Sequence, residues 1–323
     1  MRWGFRVSTD PTNGSGHLVR CRALAASMTA PVVLFADPSG LEQVDLDWSG
    51  NILAESSRLD ADLALAALSE RSIDGLLFDH FGIDDATVAC ASSSGFTAAF
   101  RDGGRYGPEW ISIDPNPGAV GAPDVIAGPD KMPLAAEFAT RHNKETVRRR
   151  DVSEVPSVMI AFGTHDSTNR TQLALNALMQ IERRLNTTVV VGRQNPHHER
   201  IASDISRYNS VRILNDISDL SEIYGCFDLA IGAPGVSQFE RACCGLPTIL
   251  IAQNVRQESL LRHWEITGSA IASESTSESV ADTLDRILNN GECLSRMREH
   301  CLALVDGRGA ERLAAALSQA ALQ

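Results

Sequence analysis

Short runs rich in apolar and β-branched residues at 3–7, 31–36, 51–54, 75–78, 97–101 and 110–113 are separated by segments with apolar residues at helical spacing, at 17–28, 59–71 and 84–91. Alternation of brief buried runs with amphipathic helices is the βαβ rhythm of a parallel sheet. The rhythm then restarts. Strands are expected at 158–162, 187–191, 211–214, 229–231 and 248–251, with helices at 168–184, 197–207, 218–224, 237–244 and 258–266. Helices without an intervening strand, at 277–290 and 294–322, close the chain. Two consecutive α/β units follow from this pattern.

The segment 141–151, with Arg141, Lys144, Arg148, Arg149 and Arg150, is the most polar stretch and is closed by Pro156. It reads as a solvated helix end and linker, or else as a phosphate clamp. The division expected is an N-terminal domain over 1–150 and a C-terminal domain over 151–323.

Composition narrows the function classes. The 323 residues are 43% hydrophobic, enough for two cored domains of about 100–200 residues each. No apolar run has the roughly 18–20 residues of a membrane helix, and the first residues lack a signal-peptide pattern, so stable membrane insertion is not expected and the cytoplasm is the expected location. A net charge of −12 argues against a nucleic-acid surface, which needs a concentrated basic field. Anionic small molecules remain suitable partners, because backbone N–H groups and helix ends act locally. The seven cysteines show no paired metal-ligand spacing and read as reduced core residues; neither a metal nor a cofactor is expected.

Candidate chemistry gathers at strand exits. Gly14, Ser15, Gly16 and His17 follow the first strand and open a helix, where free N–H groups attract phosphate. Two readings fit His17: a neutral imidazole acting as general base, or a histidine capping a tight turn. Asp79 and His80 end another strand and suit either substrate contact or loop hydrogen bonding. In the second unit Gly163 and Thr164 leave the first strand, and Gly235, Val236 and Ser237 join a buried strand to a helix whose N-terminus suits a diphosphate. Glu240, one turn further, is placed to accept from ribose hydroxyls.

Several segments carry a family resemblance: Gly14-Ser15-Gly16-His17, Phe78-Asp79-His80-Phe81-Gly82-Ile83, Gly128-Pro129 with the helix to Phe138, and Phe162-Gly163-Thr164. It continues through Gly235 to Glu240, Gly245-Leu246-Pro247 and Gln257. In their order and spacing these resemble the PseG family, the UDP-sugar hydrolases of the pseudaminic acid pathway, relatives of the MurG glycosyltransferases. The resemblance implies a GT-B fold, with two Rossmann-like domains facing across a cleft and UDP held mainly by the C-terminal one. It implies that His17 activates water to cleave the C1–O bond of a UDP-activated 2,4-diacetamido-2,4,6-trideoxyhexose with inversion. Gly14, Ser15, Gly16, Asp79, His80, Gly163, Thr164, Gly235, Val236, Ser237, Glu240 and Gln257 would bind that substrate. The chain departs from the family pattern at Phe81, Thr164, Phe239 and Arg256. The alternatives are a UDP-sugar-dependent glycosyltransferase of the same fold and a nucleotide-sugar-binding protein without catalysis.

Overall fold

The computed structural model describes residues 2–9, 15–36, 52–56, 73–80, 83–102, 109–148, 155–192, 194–206, 210–215, 217 and 219–322. The helix expected at 59–71 lies outside these residues. Two compact units emerge, one comprising Met1–Ala136 with Arg308–Gln323, the other Glu137–Gly307.

In the first unit, strands β1 (Trp3–Val7), β2 (Val32–Ala36), β3 (Ile52–Ser56), β4 (Gly75–Asp79), β5 (Phe96–Phe100), β6 (Ile111–Asp114) and β7 (Val125–Ala127) form one sheet in the order β3-β2-β1-β4-β5-β6-β7. Every neighbouring pair is parallel. Both faces are covered, which is why β1 and β4 are buried along their whole length instead of alternating. Helix α1 (Gly16–Ser27) packs one face through Leu18, Cys21 and Leu24, and α2 (Asp85–Ser92), capped by the Asp84 carboxylate, contributes Val88 and Ala91 to the other. The strand order reverses between β1 and β4, the topological switch point where such sheets bind ligands at the carboxyl ends of their strands.

The second unit repeats the scheme. Strands β8 (Ser157–Ala161), β9 (Asn186–Val191), β10 (Val211–Asn215), β11 (Leu229–Gly232), β12 (Thr248–Leu250) and β13 (Ala270–Ala272) are ordered β10-β9-β8-β11-β12-β13, again all parallel. Its core joins Val158, Ile160, Val189, Leu229, Ile231 and Ile249 to flanking helices. The expected class, two Rossmann-like α/β units of GT-B type, is the one observed.

The boundary differs from the expected division at 150. Helix α3 (Ala136–Val147) takes up the start of the polar stretch, with Lys144 and Arg148 exposed at its end, but it also carries Glu145, 1% exposed, which accepts a 2.8 Å hydrogen bond from Arg298 and pairs with Arg141 at 2.7 Å. Arg148 adds a third guanidinium at 3.5 Å, and these partners offset the cost of burying the Glu145 carboxylate. The long terminal helix expected at 294–322 is two, α10 (Gly291–Leu304) and α11 (Gly309–Ala320), and α11 places Leu313, Ala314 and Leu317 in the core of the first unit beside α1. The break needs Gly307, whose φ is +80° and whose Cβ would stand 2.6 Å from the Ala139 backbone nitrogen. β7 and β13, three residues each, were too short to register as separate apolar runs. Four cysteines are core residues as expected, but Cys226 is exposed and Cys90 and Cys293 are half-buried.

Candidate active site

At the switch point of the first unit the chain buries a charged network. Asp79, the last residue of β4, is 1% exposed. His17, in the first turn of α1, donates from Nδ1 to Asp79 Oδ1 at 2.5 Å. One helical turn on, Arg20 donates to both carboxylate oxygens, Nε to Oδ2 at 2.6 Å and Nη2 to Oδ1 at 2.5 Å. The same guanidinium forks onto Asp102, with Nη1 to Oδ1 at 2.8 Å and Nη2 to Oδ2 at 2.7 Å, and lies 4.1 Å from the centre of the Phe100 ring. Asp79 also accepts from the Cys21 thiol at 3.3 Å, and Asn116 links Asp102 to Asp114.

Burial works to raise the Asp79 pKa, but the charge of Arg20, then that of His17, and hydrogen bonds from both outweigh it and hold the carboxyl well below the usual carboxylate range. Asp79 is therefore an anion, and an anion can only accept. Nδ1 of His17 must carry the proton, so a neutral ring has its lone pair on Nε2. Burial raises the Cys21 thiol strongly, with Asp79 adding to the effect, which keeps it protonated as a donor. Arg20 escaped the sequence reading. The available signal was an arginine three residues after His17 on an otherwise apolar helix face, a position with no partner nearby in the chain.

Gly14 lies outside the described residues. Ser15 precedes α1 as its N-cap without a side-chain cap bond, and Gly16 is its first residue. His80 follows Asp79 and is half-buried; its carbonyl accepts from the Ile83 N–H. Asp102, just past the end of β5, adopts φ +41° and is the second carboxylate on Arg20.

The second unit has its own switch point between β8 and β11. Gly163 and Thr164 turn away from β8 toward helix α4 (Arg170–Leu178), whose first N–H groups are capped by Asp166 at 2.8 and 2.9 Å. Gln253, after β12, donates to Phe162 O and to Asp166 Oδ1, while its own N–H donates to Gln257 Oε1 at 2.9 Å. Gln257 sits in the first turn of α8 (Val255–Ile266), and its side-chain nitrogen would be 3.9 Å from a Cβ on Gly235. Gly235 caps α7 (Val236–Cys243), placing Val236 and Ser237 at the helix N-terminus. The predicted residues Gly163, Thr164, Gly235, Val236, Ser237 and Gln257 therefore belong to adjoining loops braced by Gln253.

Glu240, the residue expected to meet ribose hydroxyls, is buried and accepts from the Tyr224 hydroxyl at 3.0 Å. Burial raises its pKa, against the lowering effect of that bond. Arg241 is 0% exposed and stiffens the loop from below, donating to Ala233 O at 2.7 Å and to Gln238 and Thr248.

Gly192 holds the loops together by having no side chain: a Cβ there would lie 2.4 Å from Thr164 Cα and 2.7 Å from its carbonyl oxygen. Gly192→Ala should therefore push the Gly163–Thr164 turn outward, lowering stability by about 1–3 kcal/mol. Urea denaturation checks this; an unchanged midpoint would contradict the packing.

Among the described residues no group of three or more His, Cys, Asp or Glu could hold a metal ion, and no helix is long and apolar enough to cross a membrane.

The chain matches no family model. It is 22% identical to the spore coat polysaccharide biosynthesis protein SpsG of Bacillus subtilis, with 98% of each chain covered. It is 30% identical over 133 residues to an uncharacterized protein of Methanocaldococcus jannaschii, covering 40% of this chain but only 27% of that one. A third relative, the UDP-N-acetylglucosamine–N-acetylmuramyl-(pentapeptide) pyrophosphoryl-undecaprenol N-acetylglucosamine transferase of Pediococcus pentosaceus, is 29% identical over 50% of this chain and 47% of its own. Among solved structures, Acinetobacter baumannii MurG superposes with a TM-score of 0.72 at 15% identity, covering 98% of this chain and 99% of its own. The UDP-GlcNAc 2-epimerase of Neisseria meningitidis bound to UDP-GlcNAc gives 0.67 at 12%, covering 99% and 100%. The two superpositions extend over both units and agree in the GT-B fold.

Proposed function

We propose that the chain is a glycosyltransferase that moves a sugar from a UDP-type donor to an acceptor hydroxyl with inversion. The observation that carries this is the 2.5 Å hydrogen bond from His17 Nδ1 to the buried Asp79 carboxylate. It fixes the tautomer with a basic Nε2, as a general base for an oxygen nucleophile requires. In the reaction, Nε2 takes the acceptor proton as the acceptor oxygen bonds to the anomeric carbon. The C1–O bond to the diphosphate breaks with its electron pair leaving on the phosphate oxygen, and Asp79 stabilises the imidazolium formed.

The donor side is assigned to the second unit. The N–H groups of Gly235, Val236 and Ser237 begin a helix and suit the diphosphate, where fixed donors lower the cost of its departure. Gly163, Thr164 and Gln257 border the same loops and are assigned to the donor, with Glu240 at the nucleoside end; Gly14, Ser15, Gly16 and His80 are assigned to the sugar and acceptor beside His17. Transfer is preferred to hydrolysis because the one sequence relative cited above whose name states a reaction on a UDP-sugar is a transferase, aligned over half of this chain, and the relative aligned over 98% of it, at 22% identity, is named for polysaccharide biosynthesis. Hydrolysis of a UDP-activated diacetamido-trideoxyhexose is the second reading, carried by the motif order from Gly14 to Gln257. The two differ only in whether water or a sugar hydroxyl meets His17.

The test follows UDP release from a panel of UDP-hexosamines and UDP-diacetamido-trideoxyhexoses, with and without saccharide acceptors. Release that needs an acceptor, with a new glycoside found by mass spectrometry, supports transfer. Equal release without acceptor makes it a hydrolase. UDP binding without turnover on any donor leaves a non-catalytic binding protein.

A further inference from the structure

One residue of the first unit is placed to set when the base works without touching any reactant. Arg20 is buried between two carboxylates and uses all three of its nitrogens on them, Nε and Nη2 on Asp79, Nη1 and Nη2 on Asp102, while Nη2 also lies 3.4 Å from His17 Nδ1. Asp79 in turn holds His17. We infer that Arg20 is a positioning residue and that the Arg20–Asp102 pair sets the pH range in which the His17–Asp79 pair is free of its extra proton. This rests on the assignment of His17 as the base.

The argument is electrostatic. With a neutral imidazole, Asp79, Arg20 and Asp102 leave one net negative charge beside the ring. The Asp102 side chain is 21% exposed and its carboxylate is the outer charge of the three. Removing it leaves Arg20 opposed by Asp79 alone, so a proton on the pair becomes less favourable. Removing the Arg20 charge leaves two carboxylates unopposed, so the pair keeps its proton to higher pH. Neighbouring charges a few ångströms apart in a buried site typically move such equilibria by one unit or more.

The other groups around the pair do not reverse these signs. On α1 Cys21 stays a protonated donor to Asp79. From β1, Ser8 and Thr9 are polar and Arg6 donates to the Val7 carbonyl at 2.7 Å. Beyond β4 stands His80; at the end of β6, Asp114 accepts from Asn116, which also donates to Asp102. α11 offers α1 the apolar Leu313, Ala314 and Leu317. All of these are common to the wild type and the variants below, so differences report on the Arg20–Asp102 pair.

The experiment titrates the His17 ring by NMR in the full chain, assigned with His17→Gln, for the wild type, Asp102→Asn, Arg20→Met and Arg20→Lys. The midpoint should fall by about one pH unit in Asp102→Asn, rise by about one in Arg20→Met and stay within about 0.3 in Arg20→Lys, which keeps the charge. Where turnover is measurable, the acid limb of kcat/KM should move with each midpoint. Midpoints that stay put, or that move the same way in Asp102→Asn and Arg20→Met, overturn the inference. Should Arg20→Met not fold, Asp102→Asn decides alone: a fall supports it, and no change or a rise defeats it. Opposite shifts in a protein that turns over no donor would leave this inference standing while removing the enzymatic reading on which its purpose rests.

Discussion

His17→Ala is expected to lower the rate of UDP release about 10²–10⁴-fold, the usual contribution of a positioned base, while UDP affinity stays within about twofold of wild type. The split follows from the two separate loop systems: the ring of His17 belongs to the first unit, whereas the glycine loops assigned to the diphosphate belong to the second. Fold should be little affected, because the change removes a ring hydrogen-bonded to Asp79 but leaves Arg20 and Cys21 on that carboxylate. Steady-state kinetics beside a calorimetric UDP titration check both halves. A variant that keeps more than about a tenth of the rate would show that proton removal by this ring is not a principal source of catalysis.

Asp79→Asn should be nearly as damaging to turnover and far more damaging to stability. An amide at this position has lost the charge that stabilises an imidazolium and can present an N–H to Nδ1, favouring the wrong tautomer; in comparable dyads the loss is about 10⁴-fold in kcat. Arg20 would be left buried with Asp102 as its remaining carboxylate, and removing one partner of a buried ion pair costs about 3–5 kcal/mol. The pH dependence carries a sign. Because the folded-state pKa of Asp79 is depressed, its stabilisation is complete above the ordinary carboxylate range and is lost as the pH falls through and below about 4. The stability gap between wild type and Asp79→Asn should therefore be wide at pH 7 and narrow toward pH 3. Urea denaturation at the two pH values measures it; a gap of constant width would mean that Asp79 is not held as a stabilised anion.

Under the proposed function, the arrangement of charges around His17 is what would let a buried histidine serve as a base. An isolated imidazolium in this environment would be costly, and an isolated Asp79 anion more so. Together with Arg20 and Asp102 they form a network in which every charge has a partner, so a proton taken up in the proposed reaction would arrive at a site already prepared for it.

Much of the fold was legible in the chain. Eleven apolar runs marked the places of strands, since a strand buried on both faces is a local compositional event, and the glycine-bearing exits at Gly16, Gly163 and Gly235 marked the ligand ends of both sheets because backbone turning there is also local. What the sequence could not decide is whatever depends on pairing across long separations. Arg20 meets Asp79 and Asp102 across 59 and 82 residues, and Glu145 meets Arg298 across 153, so a polar run whose Lys144 and Arg148 are exposed also carries a buried carboxylate paired far along the chain. The return of α11 to the first unit is of the same kind: its apolar face, Leu313, Ala314 and Leu317, specifies that it must be covered but not by which sheet. Periodicity records which side of an element is buried; only the tertiary structure determines the partner, and at this site the partners hold the Asp79 carboxyl as an anion.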